Sequence, residues 1–113
     1  MDALLGAAGL DDIGAHFPDD DPGYAGASSL LLLQKVVALV RAAGWEVVNA
    51  DVTIVCERPR LAGYRSAMRA RLAAELGVPV DCVGLKATTT EGMGFEGRGE
   101  GIAALAVCLL RRP

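Results

Sequence analysis

Histidine is nearly missing: His16 is the only one in 113 residues. A centre that needs two imidazoles cannot be assembled from this stretch of chain. His16 sits in an acidic, Gly- and Pro-rich segment and reads as a solvated loop residue rather than a ligand. Aromatic side chains are scarce as well, at 4%. The core must therefore be built from Leu, Val and Ala. Positive charge is in deficit, with a formal net charge of −3, which argues against nucleic acid as a partner. Arg58, Arg60, Arg65, Arg69 and Arg71 do cluster, but without interleaved aromatics, and read as a solvated helix face. Cys56, Cys82 and Cys108 are odd in number and set in apolar runs, so buried free thiols in a reducing compartment are expected. No long apolar run is present: Leu30–Val40 is interrupted by Gln34 and Lys35 and is too short to span a bilayer. Asp2 follows Met1 directly, which is unlike a signal peptide. The expectation is a soluble, cytoplasmic protein with no membrane partner.

What is abundant is aliphatic surface. Apolar residues make up 52% of a chain that folds as one domain, residues 1–113. So large a share in so short a chain implies that part of it is buried between subunits. Leu4, Leu5 and Ala8 suggest a first helix closing at Gly9, followed by a loop through Tyr24 rich in Asp, Pro and Gly. Ser28 or Ser29 caps a helix to about Ala43, with the stripe Leu32, Leu33, Val36, Val37 and Val40. Trp45–Cys56 alternates as a strand and stops at Pro59. A second long helix, from Ala62 or Gly63 to Leu76, stacks Tyr64, Met68, Leu72 and Leu76 four apart as core. Val83–Thr88 and Ile102–Leu110 complete three strands, the last one reading as buried. The fold class is α+β, a small mixed sheet with helices on one face. A sheet of three strands is thin, which again points to partner subunits.

The densest chemistry lies between the last two strands, in Lys86-Ala-Thr-Thr-Thr-Glu91 and the five glycines from Gly92 to Gly101. Threonine hydroxyls reach phosphate oxygens, and Glu91 can hold a hard divalent cation against the same phosphates. Glycine lets backbone N–H groups approach an anion, and Arg98 offers a planar fork. A Gly-rich hairpin loop between core strands accounts for the same composition equally well. The acids of the earlier loop are ambiguous too: they serve either as metal ligands or as turn formers bonded to their own backbone.

The full string decides more than its composition. Lys86-Ala-Thr-Thr-Thr-Glu followed by Gly94-Phe95-x-Gly97-Arg98-Gly99-Glu100-Gly101-Ile102 resembles the C-terminal signature of 2-C-methyl-D-erythritol 2,4-cyclodiphosphate synthases. Asp2-Ala-Leu-Leu, Asp12-Ile-Gly14 and Phe17-Pro-Asp-Asp-Asp21 resemble the same family, in order. The resemblance implies an isoprenoid-pathway lyase that cyclises a cytidine-diphosphate-linked methylerythritol phosphate and releases CMP. It implies that Asp12, Ile13, Gly14, Phe17, Pro18, Asp19, Asp20 and Asp21 surround the methylerythritol phosphate. Cys56, Glu57, Arg58, Pro59, Arg60, Leu61 and Ala62 would wall the cytidine pocket, with Arg60 where the family usually has lysine. Thr88, Thr89, Thr90 and Glu91 would bind the nucleotide's phosphates, with Thr89 catalytic and Glu91 on a magnesium- or manganese-type ion. Phe95 and Arg98 would complete the substrate end, and sites would lie between subunits of a homotrimer.

One departure follows from the same resemblance. Family members hold a zinc-type ion with an Asp-x-His pair and a later histidine, and carry a His-Ser-Asp-Gly-Asp loop. None of these occurs here. The expectation is an N-terminally truncated copy (a mis-assigned start, a fragment or a deletion) lacking the zinc triad and inactive as written. The rival reading is a non-catalytic cytidine-nucleotide-binding or trimer-forming remnant.

Overall fold

The computed structural model describes residues 1–113. The order is α1 (Asp2–Ala7), α2 (Ile13–His16), α3 (Ser29–Ala42), β1 (Glu46–Val55), α4 (Arg65–Leu76), β2 (Val83–Thr88), α5 (Gly94–Gly97) and β3 (Ala103–Arg111). The sheet runs β2-β1-β3, with β1 parallel to β2 and antiparallel to β3. A parallel neighbour needs a crossover, and α4 supplies it. Gly77, at φ 70°, ends α4 in the left-handed conformation that glycine tolerates.

Helices α1, α3 and α4 all lie on one face of the sheet. Leu5, Val36, Val40 and Val83 are fully enclosed there, together with Leu4, Leu33, Val37 and Leu76. Each such side chain contributes about 1.5–3 kcal/mol relative to exposure, so the aliphatic stripe of α3 organises the core. The sheet's alternation puts Val83 and Leu85 on the helix side, with Cys108 donating to the Ala3 carbonyl at 3.3 Å. Burial there pushes the Cys108 thiol up from its usual range, the nearby chain terminus acting weakly the other way.

The other face is bare. Leu105, Val107 and Leu109 of β3 are 61%, 66% and 55% exposed, against the expectation of a buried last strand. Ala103–Arg111 is apolar at successive positions, and burying both of its sides requires a second layer that one chain does not provide. Asp51 and Lys86 form an ion pair at 2.6 Å between β1 and β2. The Asp51 carboxylate occupies the space a side chain at Gly84 would need.

Four further expectations are corrected. Tyr64 is 63% exposed rather than core, because it ends a 3-10 turn (Ala62–Tyr64) ahead of α4 and outside its buried stripe. Arg65 and Arg69 are not simply solvated. Their Nε groups donate to the Leu85 and Val83 carbonyls at 2.5 and 2.6 Å, closing the outer edge of β2 against further strands. His16 is half-buried, its Nε2 bonded to the Leu10 carbonyl at 2.6 Å. Of the three free thiols, only Cys56 is buried; Cys82 and Cys108 are half-buried.

Candidate functional site

Two parallel strands, β1 and β2, end side by side, and their backbone groups run out there. Cys56 N–H donates to the Thr88 carbonyl at 3.0 Å, one step beyond the last ladder pair, Val55 with Thr88. Pro59, in a cis Arg58–Pro59 bond, then carries the chain away from the sheet. Between this turn and the end of β2 lies an open cleft of about 1120 Å3, lined by Cys56–Ala62 with Ala87, Thr88 and Thr89. Crevices beyond the carboxyl ends of parallel strands are where open sheets bind ligands.

The cleft carries a net positive charge, from Arg58 and Arg60 against Glu57. Arg58 and Arg60 are exposed and make no ion pair, as the only pairs are Lys86–Asp51, Arg98–Glu100 and Arg111–Glu46. Two unpaired guanidinium groups beside one concave surface favour an anion. Glu57 belongs to the same wall, and its Oε2 is buried without a hydrogen-bond partner. The N–H groups of Arg60, Leu61 and Ala62 have no acceptor within the chain. Beside the cleft, Ile54, Leu61, Met68 and Leu85 line a smaller apolar hollow of about 240 Å3.

The three threonines are not equivalent. Thr89 Oγ1 accepts from the Glu91 N–H at 3.2 Å, which leaves its own hydroxyl proton free for a phosphate oxygen. Thr90 instead donates to the Met93 carbonyl inside the following loop. Thr88 makes only a long contact, 3.4 Å, to the Thr89 carbonyl. Glu91 takes φ 54°, uncommon for a residue with a side chain, and its carboxylate is exposed and unpaired.

Beyond Glu91 the Gly-rich segment is folded, not loose. Met93 N–H bonds to Thr90, Gly97 N–H to Met93 and Glu100 N–H to Phe95, all between 2.9 and 3.2 Å. A Cβ at Gly97 would lie 2.2 Å from the Gly92 carbonyl carbon and 2.7 Å from Thr90 Oγ1. That close approach was invisible in the sequence, where Gly97 was one of five similar glycines. Arg98 is held by Glu100 at 2.8 and 3.2 Å, and Phe95 packs over Gly101.

The other predicted residues stand elsewhere. Ile13, Gly14, Phe17, Pro18 and Asp19 line a separate hollow of about 340 Å3 with Tyr24 and Leu32, which shares no residue with the cleft. Asp12 caps α2 through the Ala15 N–H at 2.9 Å, and Asp21 accepts from the Gly23 N–H at 2.8 Å. Both therefore form turns with their own backbone, whatever else they do. Asp20 is exposed. Within one chain, then, the two groups of candidate residues remain apart. No three His, Cys, Asp or Glu side chains gather into a group that could hold an ion.

A sequence profile described as the YgbB family matches residues 1–111. The 2-C-methyl-D-erythritol 2,4-cyclodiphosphate synthase of Methylococcus capsulatus is 60% identical over 111 residues. The chain belongs to this synthase family. The match covers 98% of the chain and 70% of the Methylococcus synthase. Among solved structures, the bifunctional IspDF of Campylobacter jejuni superposes with a TM-score of 0.94 at 40% identity, over 98% of this chain and 30% of that one. A synthase of the family in a CDP-bound form superposes with a TM-score of 0.88 at 37% identity, covering 97% and 71% of the two chains. The relatives are named as cyclodiphosphate synthases, lyases of isoprenoid biosynthesis, and the three-stranded mixed sheet with its helices is part of their shared fold. No helix is long and apolar enough to cross a membrane.

Proposed function

We propose that this chain carries the cytidine diphosphate end of a site for the conversion of 4-diphosphocytidyl-2-C-methyl-D-erythritol 2-phosphate to the 2,4-cyclodiphosphate and CMP. These 113 residues by themselves should bind the nucleotide without turning it over, because no three-ligand zinc-type group is among them. The observation that carries the reading is the cleft itself, with unpaired Arg58 and Arg60 on one wall and the free hydroxyl of Thr89 on the other. Pyrimidine acceptors would meet the unpaired N–H groups of Arg60, Leu61 and Ala62. Arg60 and Thr88 would neutralise and fix the diphosphate. Thr89 would donate to the phosphoryl oxygen on which charge builds as the 2-phosphate attacks. The reaction is internal, so alignment of the two phosphates supplies most of what the protein must do.

The residues fit one cation and not another. A magnesium-type ion needs only one or two carboxylates with the substrate's own phosphates, and Glu91 is exposed, unpaired and just past Thr89. When bound, such an ion offsets phosphate charge. A three-ligand zinc-type site does not fit, since no such group of side chains exists here.

Asp12, Ile13, Gly14 and Phe17–Asp21 would take the methylerythritol phosphate, with Phe95 and Arg98 at the far end of the substrate. Because their hollow is separate from the cleft, the complete site would form between copies in a homotrimer. The uncovered face bearing Leu105, Val107 and Leu109 supplies an apolar surface for that association. Sedimentation at micromolar concentration should give a species three times the 11.7 kDa chain mass. Changing Val107, exposed at the centre of that face, to Lys should lower the mass. A stable, folded monomer of the unaltered chain would refute the assembly.

A further inference from the structure

The turn that carries Arg60 is held by few hydrogen bonds, and those come from one residue. None of Glu57, Arg58, Pro59 and Arg60 makes a backbone–backbone hydrogen bond. No side chain of the four bonds to another part of the chain either. The exception is supplied from below. The Cys56 thiol, 5% exposed, lies 2.9 Å from the Arg58 carbonyl and 3.7 Å from the Pro59 carbonyl, and donates to them. The main-chain N–H of the same residue donates to the Thr88 carbonyl at 3.0 Å. Cys56 thus joins both walls of the cleft: its backbone to the threonine strand, its side chain to the arginine turn.

We infer that the Cys56 thiol is a positioning residue for the nucleoside side of the cleft. This rests on the reading of the cleft as a cytidine diphosphate site and adds a role for a side chain that need not touch the ligand. A segment with no bonds of its own must be ordered when a ligand binds, and that ordering opposes affinity. A buried S–H is a weak donor, yet it fixes where the Arg58 and Pro59 carbonyls point. It thereby fixes where the following N–H groups of Arg60, Leu61 and Ala62 face. Cysteine suits the position because it fills the enclosed space as a small hydrophobe while keeping one proton to donate.

The test is a set of three substitutions read by calorimetric titration with cytidine and with cytidine diphosphate. Cys56→Ser keeps a donor, Cys56→Ala removes it, and Cys56→Val removes it while keeping bulk. Cys56→Ala and Cys56→Val should weaken both ligands by about fivefold, because the loss lies on the nucleoside side. Cys56→Ser should remain within about twofold of the unaltered chain. Thermal unfolding of each variant separates this pattern from loss of fold; if Cys56→Val unfolds, the alanine and serine pair carries the comparison. Unchanged affinity in Cys56→Ala, or equal losses in Cys56→Ala and Cys56→Ser, would overturn the inference while leaving the cleft's assignment standing. A wild-type chain that binds no cytidine diphosphate would overturn both.

Discussion

Gly97→Ala should lower the melting temperature by about 10 °C and weaken cytidine diphosphate binding by an order of magnitude or more. The added methyl would fall 2.2 Å from the Gly92 carbonyl carbon and 2.7 Å from the Gly92 Cα, so backbone must move against backbone. Overpacking of this kind costs about 1–3 kcal/mol, and at this chain length each kcal/mol shifts the midpoint by about 4 °C. The same methyl would also press on Thr90 Oγ1 at 2.7 Å, displacing the strand end that presents Thr89. Two controls isolate the cause. Gly63 has open space and no left-handed backbone, so Gly63→Ala should be neutral. Gly99 has open space but φ 74°, so Gly99→Ala should cost only the backbone strain, about 1 kcal/mol. Differential scanning calorimetry of the three variants checks the ranking; equal midpoints for Gly97→Ala and Gly63→Ala would refute the packing argument.

Glu91→Gln should abolish the metal dependence of nucleotide binding. In the unaltered chain, millimolar magnesium or manganese should tighten cytidine diphosphate by about tenfold, since Glu91 and the diphosphate repel each other until a cation lies between them. The glutamine variant removes that repulsion, so it should bind the diphosphate somewhat better than the unaltered chain without metal. It should gain little when metal is added. Cytidine, which carries no phosphate, should bind both proteins alike. A metal effect that survives Glu91→Gln would place the cation on other groups.

The sequence made the elements legible where burial has a single period. The α3 stripe Leu33, Val36, Val37 and Val40 is buried as its spacing requires, and the breaks at Gly44, Pro59 and Gly77 fall where the backbone turns. The last strand reads as buried because Ala103–Arg111 is apolar at successive positions, and a single chain leaves Leu105, Val107 and Leu109 uncovered. The arginines were misread for a related reason. Their spacing identifies a helix face, but only the packing of α4 along β2 shows Arg65 and Arg69 reaching strand carbonyls.

The candidate site was legible as residue types, through the Thr-Thr-Thr-Glu string and the turn around Arg60. Its division of labour was not. That Thr89 keeps a free proton while Thr90 gives its own to Met93 depends on the course of the loop, which spacing does not encode. Nor could spacing place the Asp12–Asp21 segment, whose residues line a hollow separate from the cleft. His16 shows the same limit at one residue: an acidic neighbourhood suggested solvent, while the fold of the segment brings its ring to the Leu10 carbonyl.

The central claim is that the cleft between Cys56–Ala62 and Thr88–Thr89 reads a cytidine diphosphate. Calorimetric titration of the unaltered chain with cytidine and uridine diphosphates, each with magnesium, tests it most directly. The cytidine nucleotide should bind at least tenfold more tightly, because N–H groups fixed along the turn pair with the N3 acceptor of cytosine and oppose the N3–H of uracil. Equal affinity for the two, or heat that is unchanged when Arg60 is replaced by Ala, would contradict the assignment.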